Sequence, residues 1–235
     1  MQHKNNKPYQ INYAAHDAVY QRNREKGLPG WDCAEDIAEQ IRQLKMIFHH
    51  PEILKTGRVL DIGCGAGDIS FWLETMGYRV TGIDVSRVAI EWAIEKAGLI
   101  NSKAEFSIVN VAQNRYRADK LFDIALDNNC LHCIIGKDRK LYLENIHENL
   151  RAGGIYICNT MCDDFRDEEL NQYFDSESRL LIRNNLAIRY IGKHSDIISE
   201  ITDAGFKLIY EESTSCKTQD SVCLIAKRDS QLNSL

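Results

Sequence analysis

The sequence predicts an α/β protein built on a doubly wound, mostly parallel sheet. Three observations carry this. Between Arg58 and Gly205, short apolar runs alternate with helical patterns, as βαβ units require. The first apolar run opens directly onto the glycine-rich turn Gly63-Cys-Gly-Ala-Gly67. The last two runs, 206–210 and 221–226, break the alternation and read as a hairpin along one edge of the sheet.

Residues 1–30 are polar and aromatic and end in the turn signal Gly27-Leu-Pro-Gly30. Ala34, Ile37, Ile41, Leu44 and Phe48 then recur at three and four residues, which lines one helix face. Asp32 stands where an N-cap belongs, with Glu35 three residues on, a capping-box spacing. Pro51 and Gly57 close this segment. Residues 58–62 read as the first buried strand. Ile69, Trp72, Leu73 and Met76 mark a helix that stops at Gly77, and 78–83 is the second strand. Ser86 is placed to cap a helix whose Ala89, Ile90, Ala93, Ile94 and Ala97 share a face, with Gly98 as its stop. Strands follow at 104–109 and 121–126. Leu143, Ile146 and Leu150 define a helix running into Ala152-Gly-Gly154, and 155–159 is the fifth strand. The next thirty-odd residues read as irregular, acidic at 163–169 and then basic at Arg179, Arg183 and Arg189. Ile197, Ile198 and Ile201 mark one more helix, ended by Gly205.

With 235 residues, 44% of them apolar, the chain is long enough for one domain with a substantial core and no need of metal or disulfide staples. Lys plus Arg number 29 against 34 Asp plus Glu, a net charge of −5, which disfavours nucleic acid as the main partner. Three Pro and 14 Gly exclude collagen-like and low-complexity classes. Residues 1–16 contain no apolar core of a secretory signal, and no window approaches the length of a membrane span. The expectation is a soluble cytoplasmic protein without a membrane partner. In that setting the eight cysteines are expected to be reduced. Two spacings stand out among them, Cys130-Leu-His-Cys133 and Cys158-Asn-Thr-Met-Cys162.

The strongest chemical signal is Val59-Leu-Asp-Ile-Gly-Cys-Gly-Ala-Gly-Asp68, a buried strand, a glycine turn and a helix start. Gly63 and Gly65 let the backbone turn tightly at the carboxyl end of the strand, where open α/β sheets bind ligands. A dinucleotide site would need a third glycine where Asp68 stands, and Asp61 adds a second carboxylate at the strand end. Two carboxylates repel a pyrophosphate and attract a cation. S-adenosylmethionine, with an ammonium, a sulfonium and no phosphate, matches that charge. Asp84 lies 21 residues beyond Gly63, at the tip of the adjacent strand, where a carboxylate can accept from both hydroxyls of a ribose.

The ordered segments Leu60-Asp-Ile-Gly-Cys-Gly-Ala-Gly67, Gly82-Ile-Asp-Val-Ser86, Phe122-Asp-Ile-Ala-Leu-Asp-Asn-Asn-Cys-Leu-His-Cys-Ile134 and Leu150-Arg-Ala-Gly-Gly-Ile-Tyr-Ile157 resemble the class I S-adenosylmethionine-dependent methyltransferases over residues 55–227. The resemblance implies a Rossmann-like sheet of seven strands, order 3-2-1-4-5-7-6, with the last strand antiparallel. It implies that Asp61, Gly63, Cys64 and Gly65 border the methionine end of the cofactor, that Asp84 holds the ribose, that Val85 flanks the adenine, and that Asn110 and Val111 meet the adenine edge. Many members carry an acid where Asn110 stands. The stretch 126–133 is similar to the segment after the fourth strand in small-molecule and thiol methyltransferases, which puts Asp127 at the cofactor, with Cys133 in place of a second histidine. Pro29-Gly-Trp-Asp32 resembles an opening segment of those enzymes, with one residue inserted, and so implies Trp31 near the cofactor; its alternative role is to pack the N-terminal helix.

The resulting organisation is a single domain over 1–235, with an N-terminal helical cap or lid at 1–50, a Rossmann-like core at 55–227 and a lid insertion at 161–193. Methyl transfer from a sulfonium needs an aligned nucleophile and exclusion of water. His132, just after the fourth strand, is the candidate base, and a hydrogen-bonded wall residue is its alternative. Tyr13, His16 and Tyr20 are candidates to line the acceptor pocket. Arg179, Arg183 and Arg189 are candidates to bind an acceptor anion or to form an ion-paired face. Cys130, Cys133, Cys158 and Cys162 follow neighbouring strands. They read either as buried or wall-lining thiols or as a soft-metal or metalloid site, with no metal ligand assigned. The function expected is methyl transfer to a heteroatom of a small molecule. Its rivals are a thiol-rich metal-binding or non-catalytic cofactor-binding protein and an NAD-dependent oxidoreductase.

Overall fold

The structure, a computed structural model, describes residues 9–229. Seven strands form the central sheet: β1 (Arg58–Ile62), β2 (Arg79–Asp84), β3 (Glu105–Ile108), β4 (Phe122–Asn128), β5 (Leu150–Phe165), β9 (Phe206–Ser215) and β10 (Gln219–Arg228). Their order is β3-β2-β1-β4-β5-β10-β9. The first five pair in parallel, and β10 runs antiparallel to both β5 and β9. This is the order and the antiparallel closing strand that the sequence led us to expect.

Six helices accompany the sheet: α1 (His16–Glu25), α2 (Ala34–Ile47), α3 (Asp68–Thr75), α4 (Arg87–Ile100), α5 (Asp138–Asn149) and α6 (His194–Asp203). Alternation along the strands divides the core. Leu60 and Ile62 of β1 and Ala125 of β4 pack with Tyr142, Leu143 and Ile146 of α5 on one face. Val59, Ile124 and Leu126 pack with Leu44 of α2 and Leu73 of α3 on the other. These side chains are all at most 2% exposed, so each contributes roughly 1.5–3 kcal/mol of apolar burial for its larger members.

Several local expectations are corrected. The helix α2 starts from Cys33, not Asp32, and Asp32 instead accepts from Gln40 Nε2 at 2.7 Å. Ser86 does cap α4, accepting from the Ala89 N–H at 3.1 Å. That helix runs past Gly98 to Ile100 and ends on Asn101, whose φ of 54° is left-handed; asparagine tolerates that conformation better than most residues. The glycine pair at 153–154 does not break the fifth strand, which extends from Leu150 to Phe165.

The stretch that reads as irregular is a small antiparallel sheet of β6 (Phe174–Asp175), β7 (Leu180–Arg183) and β8 (Leu186–Tyr190). Asn184 and Asn185, at φ 51° and 62°, form the two-residue turn between β7 and β8, the left-handed pair that tight hairpins require. Leu181 and Ile191 pack with Phe165 beneath it. Gln10 stitches the N-terminal segment to this sheet: its N–H donates to the Asn185 carbonyl at 2.8 Å, and its carbonyl accepts from Ala187 at 3.0 Å. No helix among the described residues is long and apolar enough to cross a membrane.

Arg139 fastens the loop after β4. Its Nη1 donates to the carbonyls of Leu131 (2.7 Å) and Ile134 (3.1 Å), its Nε and Nη2 grip Glu200 of α6, and its guanidinium lies 4.7 Å from the Tyr190 ring centre. Arg139→Ala leaves two buried carbonyls and a carboxylate without their donor, an expected loss of about 2–4 kcal/mol. The urea midpoint measures it, and a change within about 0.5 kcal/mol would show that the clamp carries no stability.

Candidate active site

A cavity of about 350 Å³ opens at the carboxyl ends of β1, β2 and β4, beneath the N-terminal segment and β8. Such a crevice is where a doubly wound sheet holds its ligand, and the size suits a small-molecule site.

The glycine turn forms its floor. Gly63 and Gly65 have φ of 70° and 55°, values that a side chain would strain. There is also no room for one: a Cβ on Gly65 would stand 2.5 Å from the Tyr20 hydroxyl, and one on Gly63 would stand 2.8 Å from Cys130 Sγ. Asp84, 8% exposed, ends β2 against this turn. Its Oδ2 accepts from the Gly65 N–H at 3.0 Å and its Oδ1 from the Ser86 N–H at 2.8 Å. Both oxygens are fixed in direction by these bonds and keep further acceptor capacity for a ligand in the cavity. Asp61, at the end of β1 and 2% exposed, accepts from Ser70 Oγ at 2.5 Å. Burial raises its carboxyl to about 7, against the pull of Ser70, with the nearby Asp84 and Asp127 adding to the rise. Burial likewise raises Asp84. Cys64, between them in the turn, has its thiol pushed up by burial and by both acids.

Val85, Asn110 and Val111 line the same cavity, as does Trp31. Asn110 spends its side-chain oxygen on the N–H groups of Ala112 and Gln113, each at 3.2 Å, so it shapes the turn after β3. Trp31 stacks by edge and tilt on Tyr20 (5.3 Å) and His16 (5.5 Å), and Asn23 Nδ2 holds its carbonyl at 2.7 Å. Asp127 stands behind the wall and does not line the cavity. It is fully buried and accepts from Tyr142 Oη (2.6 Å), Tyr156 Oη (3.1 Å) and the N–H groups of Cys130 and Leu131. It thereby sets the turn that carries Cys130, His132 and Cys133.

Asp68 corrects one step of the charge argument. Its Oδ1 pairs with Lys96 Nζ at 2.6 Å, so its charge is already answered. The acids on the cavity floor are Asp61 and Asp84, and Asp32 lines its edge.

The far end is lined by Tyr13, His16, His132, Cys133, Met161 and Arg189. Tyr13 Oη donates to Asp138 and accepts from the Ile135 N–H, both at 3.1 Å. His16 rests its Nδ1 on the Tyr13 carbonyl at 2.7 Å. His132, 3% exposed, takes the Met161 N–H on Nδ1 at 3.4 Å, beside Thr160 Oγ1 at 3.3 Å. A backbone N–H can only donate, so the neutral ring keeps its own proton on Nε2, and that edge is a donor. These contacts are those of the hydrogen-bonded wall residue that is the alternative to a candidate base.

Of the three arginines singled out, only Arg189 reaches the cavity. Arg179 donates to the Ile191 carbonyl at 2.7 Å, and Arg183 lies over the Tyr173 ring. The four thiols do not gather. Cys158 and Cys162 are fully buried and outside the cavity lining, and no three His, Cys, Asp or Glu side chains among the described residues are placed to hold a metal ion. Two contributors escape a reading of the sequence. Asp17 of α1 accepts from Ser86 Oγ at 2.5 Å, and Gln40 of α2 bridges Asp32 and Asn128. Their helical spacing gave no sign of either contact.

Comparison with known proteins agrees with this architecture. The family model of a methyltransferase domain matches residues 53–217. An uncharacterized methyltransferase of Schizosaccharomyces pombe is 33% identical over 103 residues, 43% of this chain and 64% of that protein. Phosphoethanolamine N-methyltransferase 1 of Triticum aestivum is 32% identical over 111 residues, 46% of this chain and 22% of that protein. The chain thus spans less than two thirds of the length of these curated relatives. Among solved structures, 1,6-didemethyltoxoflavin-N1-methyltransferase of Burkholderia thailandensis, with S-adenosylhomocysteine bound, shares the fold at a TM-score of 0.69 and 21% identity, covering 92% of this chain and 87% of that one.

The buried Asp61 gives stability a pH dependence of definite sign. Folded, it keeps its proton up to about 7; unfolded, it loses it near 3.8. Its contribution is complete below the lower value and fades as pH climbs through about 7. Asp61→Asn has no proton to lose there, so its melting temperature should fall less than that of the parent between pH 5 and 8. Parallel melting curves would mean that Asp61 is ionised throughout.

Proposed function

Because the chain belongs to the methyltransferase-domain family, we propose that it transfers the methyl group of S-adenosylmethionine to a heteroatom of a small acceptor enclosed beneath the N-terminal segment and β8. One observation carries the cofactor side of this reading: two buried acids, Asp61 and Asp84, stand at adjacent strand tips on a floor of glycines. Among the described residues, the one arginine of the cavity lining, Arg189, is already hydrogen-bonded to Cys133. A phosphate-bearing ligand would face the Asp84 carboxylate and hold Asp61 protonated, whereas a cationic one gains from both acids.

When bound, the cofactor supplies an activated methyl on a positive sulfur. The residues do the rest. Asp84 accepts from ribose hydroxyls, its oxygens already oriented by Gly65 and Ser86. Asp61, raised to about 7, ionises as a cation approaches and so gains most from a positively charged partner. Gly63 and Gly65 let the main chain come close. Val85 and Val111 offer an apolar slot for a base. Tyr13, His16, Tyr20 and Trp31 cover the cavity and keep water from the reacting centre. His132 offers a donor edge to its neighbours rather than a free lone pair, which makes it a positioning residue.

Support for a heteroatom comes from two relatives named as N-methyltransferases, the wheat and Burkholderia proteins, and from a ubiquinone biosynthesis O-methyltransferase of Rickettsia akari, 29% identical over 119 residues. Support for a small acceptor comes from the size of the cavity, about 350 Å³ beneath the N-terminal segment and β8.

Titration calorimetry tests the cofactor assignment directly. The protein should bind S-adenosylmethionine and S-adenosylhomocysteine, and not NAD. Asp84→Ala should weaken S-adenosylhomocysteine by about 1–3 kcal/mol, the cost of leaving ligand hydroxyls without their acceptor. Unchanged affinity in that variant, or preferential binding of NAD, would overturn the assignment.

A further inference from the structure

Cys133 occupies an environment that the methyl-transfer reading does not require. One hydrogen bond and two imidazoles bear on its Sγ, from three parts of the fold. Arg189 of β8 donates from Nη1 at 3.1 Å, and His132 of its own turn and His16 of α1 are close enough to act on its charge. A thiol is a weak acceptor and gains little from such company, whereas a thiolate is stabilised by the guanidinium and by the imidazoles. Burial alone would raise this group; Arg189 and the two histidines outweigh it and hold it well below the ordinary thiol range. The other titratable groups facing it are Cys130, Tyr20 and Asp84.

Its partner is three residues away. The Cys133 N–H donates to the Cys130 carbonyl at 2.8 Å, closing a single 3-10 turn over Leu131–Cys133. A turn so closed holds its end Cα atoms within about 7 Å, and a disulfide spans about 4.4–6.8 Å. In 3-10 geometry residues i and i+3 lie on the same side, and both cysteines line the same cavity. Burial, Asp127 and Cys133 push the Cys130 thiol up, so it keeps its proton.

We propose that Cys133 and Cys130 are a peroxide-reactive pair inside the active-site cavity, Cys133 attacking and Cys130 resolving. The Cys133 sulfur attacks one oxygen of hydrogen peroxide, the O–O bond breaks, and the departing hydroxide takes a proton to leave as water. The Cys133 sulfenic acid is then attacked by the Cys130 sulfur; the S–O bond breaks, and hydroxide leaves as water with the Cys130 proton. Two thiols are oxidised to one disulfide, and one peroxide is reduced to two waters. Oxidation removes the negative sulfur that holds Arg189 and draws the Cys130 sulfur from its seat against Gly63. The floor and roof of the cavity lose a shared anchor. This last consequence rests on the cofactor reading; the oxidation does not.

The test uses the whole protein. After stoichiometric hydrogen peroxide at neutral pH, peptide mass mapping should find Cys130 linked to Cys133, and Cys130→Ser should stop at a sulfenic acid on Cys133 that dimedone captures. Iodoacetamide should alkylate Cys133 with a midpoint at lower pH than the half-buried Cys33, and Arg189→Ala should move that midpoint up. Wild-type mapping that finds Cys133 reduced while Cys33 or Cys216 reacts, or alkylation of Cys133 and Cys33 with the same midpoint, overturns the proposal. The oxidised protein should bind S-adenosylhomocysteine at least about fivefold more weakly than the reduced protein, and equal affinities would remove the link to the cavity. If the reduced protein binds none while the pair still oxidises, the cofactor assignment alone has failed.

Discussion

Two carboxyl groups held out of water at the tips of two adjacent strands are the constraint on which this molecule turns. Asp61 and Asp84 would be costly to bury as bare carboxylates. The fold answers with Ser70 for one and the backbone N–H groups of Gly65 and Ser86 for the other. The Gly65 N–H is presented by a turn in which Gly63 and Gly65 take left-handed conformations, and the tips are adjacent because β1 lies beside β2 in the sheet. The strand order, the glycines and the acids are thus one arrangement.

A covered cavity follows from the same constraint. Electrostatic attraction between a carboxylate and a cation grows as water is excluded. The cover comes from outside the sheet: Tyr13, His16, Tyr20 and Trp31 from the N-terminal segment, and Arg189 from the small sheet inserted after β5. Asp17 anchors the first piece to the start of α4, one residue pair from Asp84, so the cover is registered on the same loop that presents the acid. Arg139 does the equivalent for the turn after β4, tying it to α6 and to Tyr190.

The sheet was legible in the sequence because buried parallel strands are short apolar runs and the glycine turn fixes where the first one ends. The small inserted sheet was not, because its strands run two to five residues and mix charges with apolar positions. The helix α1 was hidden for a related reason, since only Tyr20 and Asn23 of its ten residues are buried and no apolar stripe marks it. At the site, Asp61, Gly63, Gly65 and Asp84 could be located from local pattern alone. The pairing of Asp68 with Lys96 depends on how α3 meets α4, and the donor role of His132 depends on a main-chain N–H from β5. Such facts live in tertiary contacts that spacing along the chain does not carry.

The stitch at Gln10 makes one roof of two separate stretches of chain. It joins the two covering pieces by two main-chain hydrogen bonds, to Asn185 and from Ala187. Neither half can part from the other unless both bonds break. Two such bonds are worth roughly 1–3 kcal/mol in all. The seam between the two pieces is thus far weaker than the sheet over which they lie.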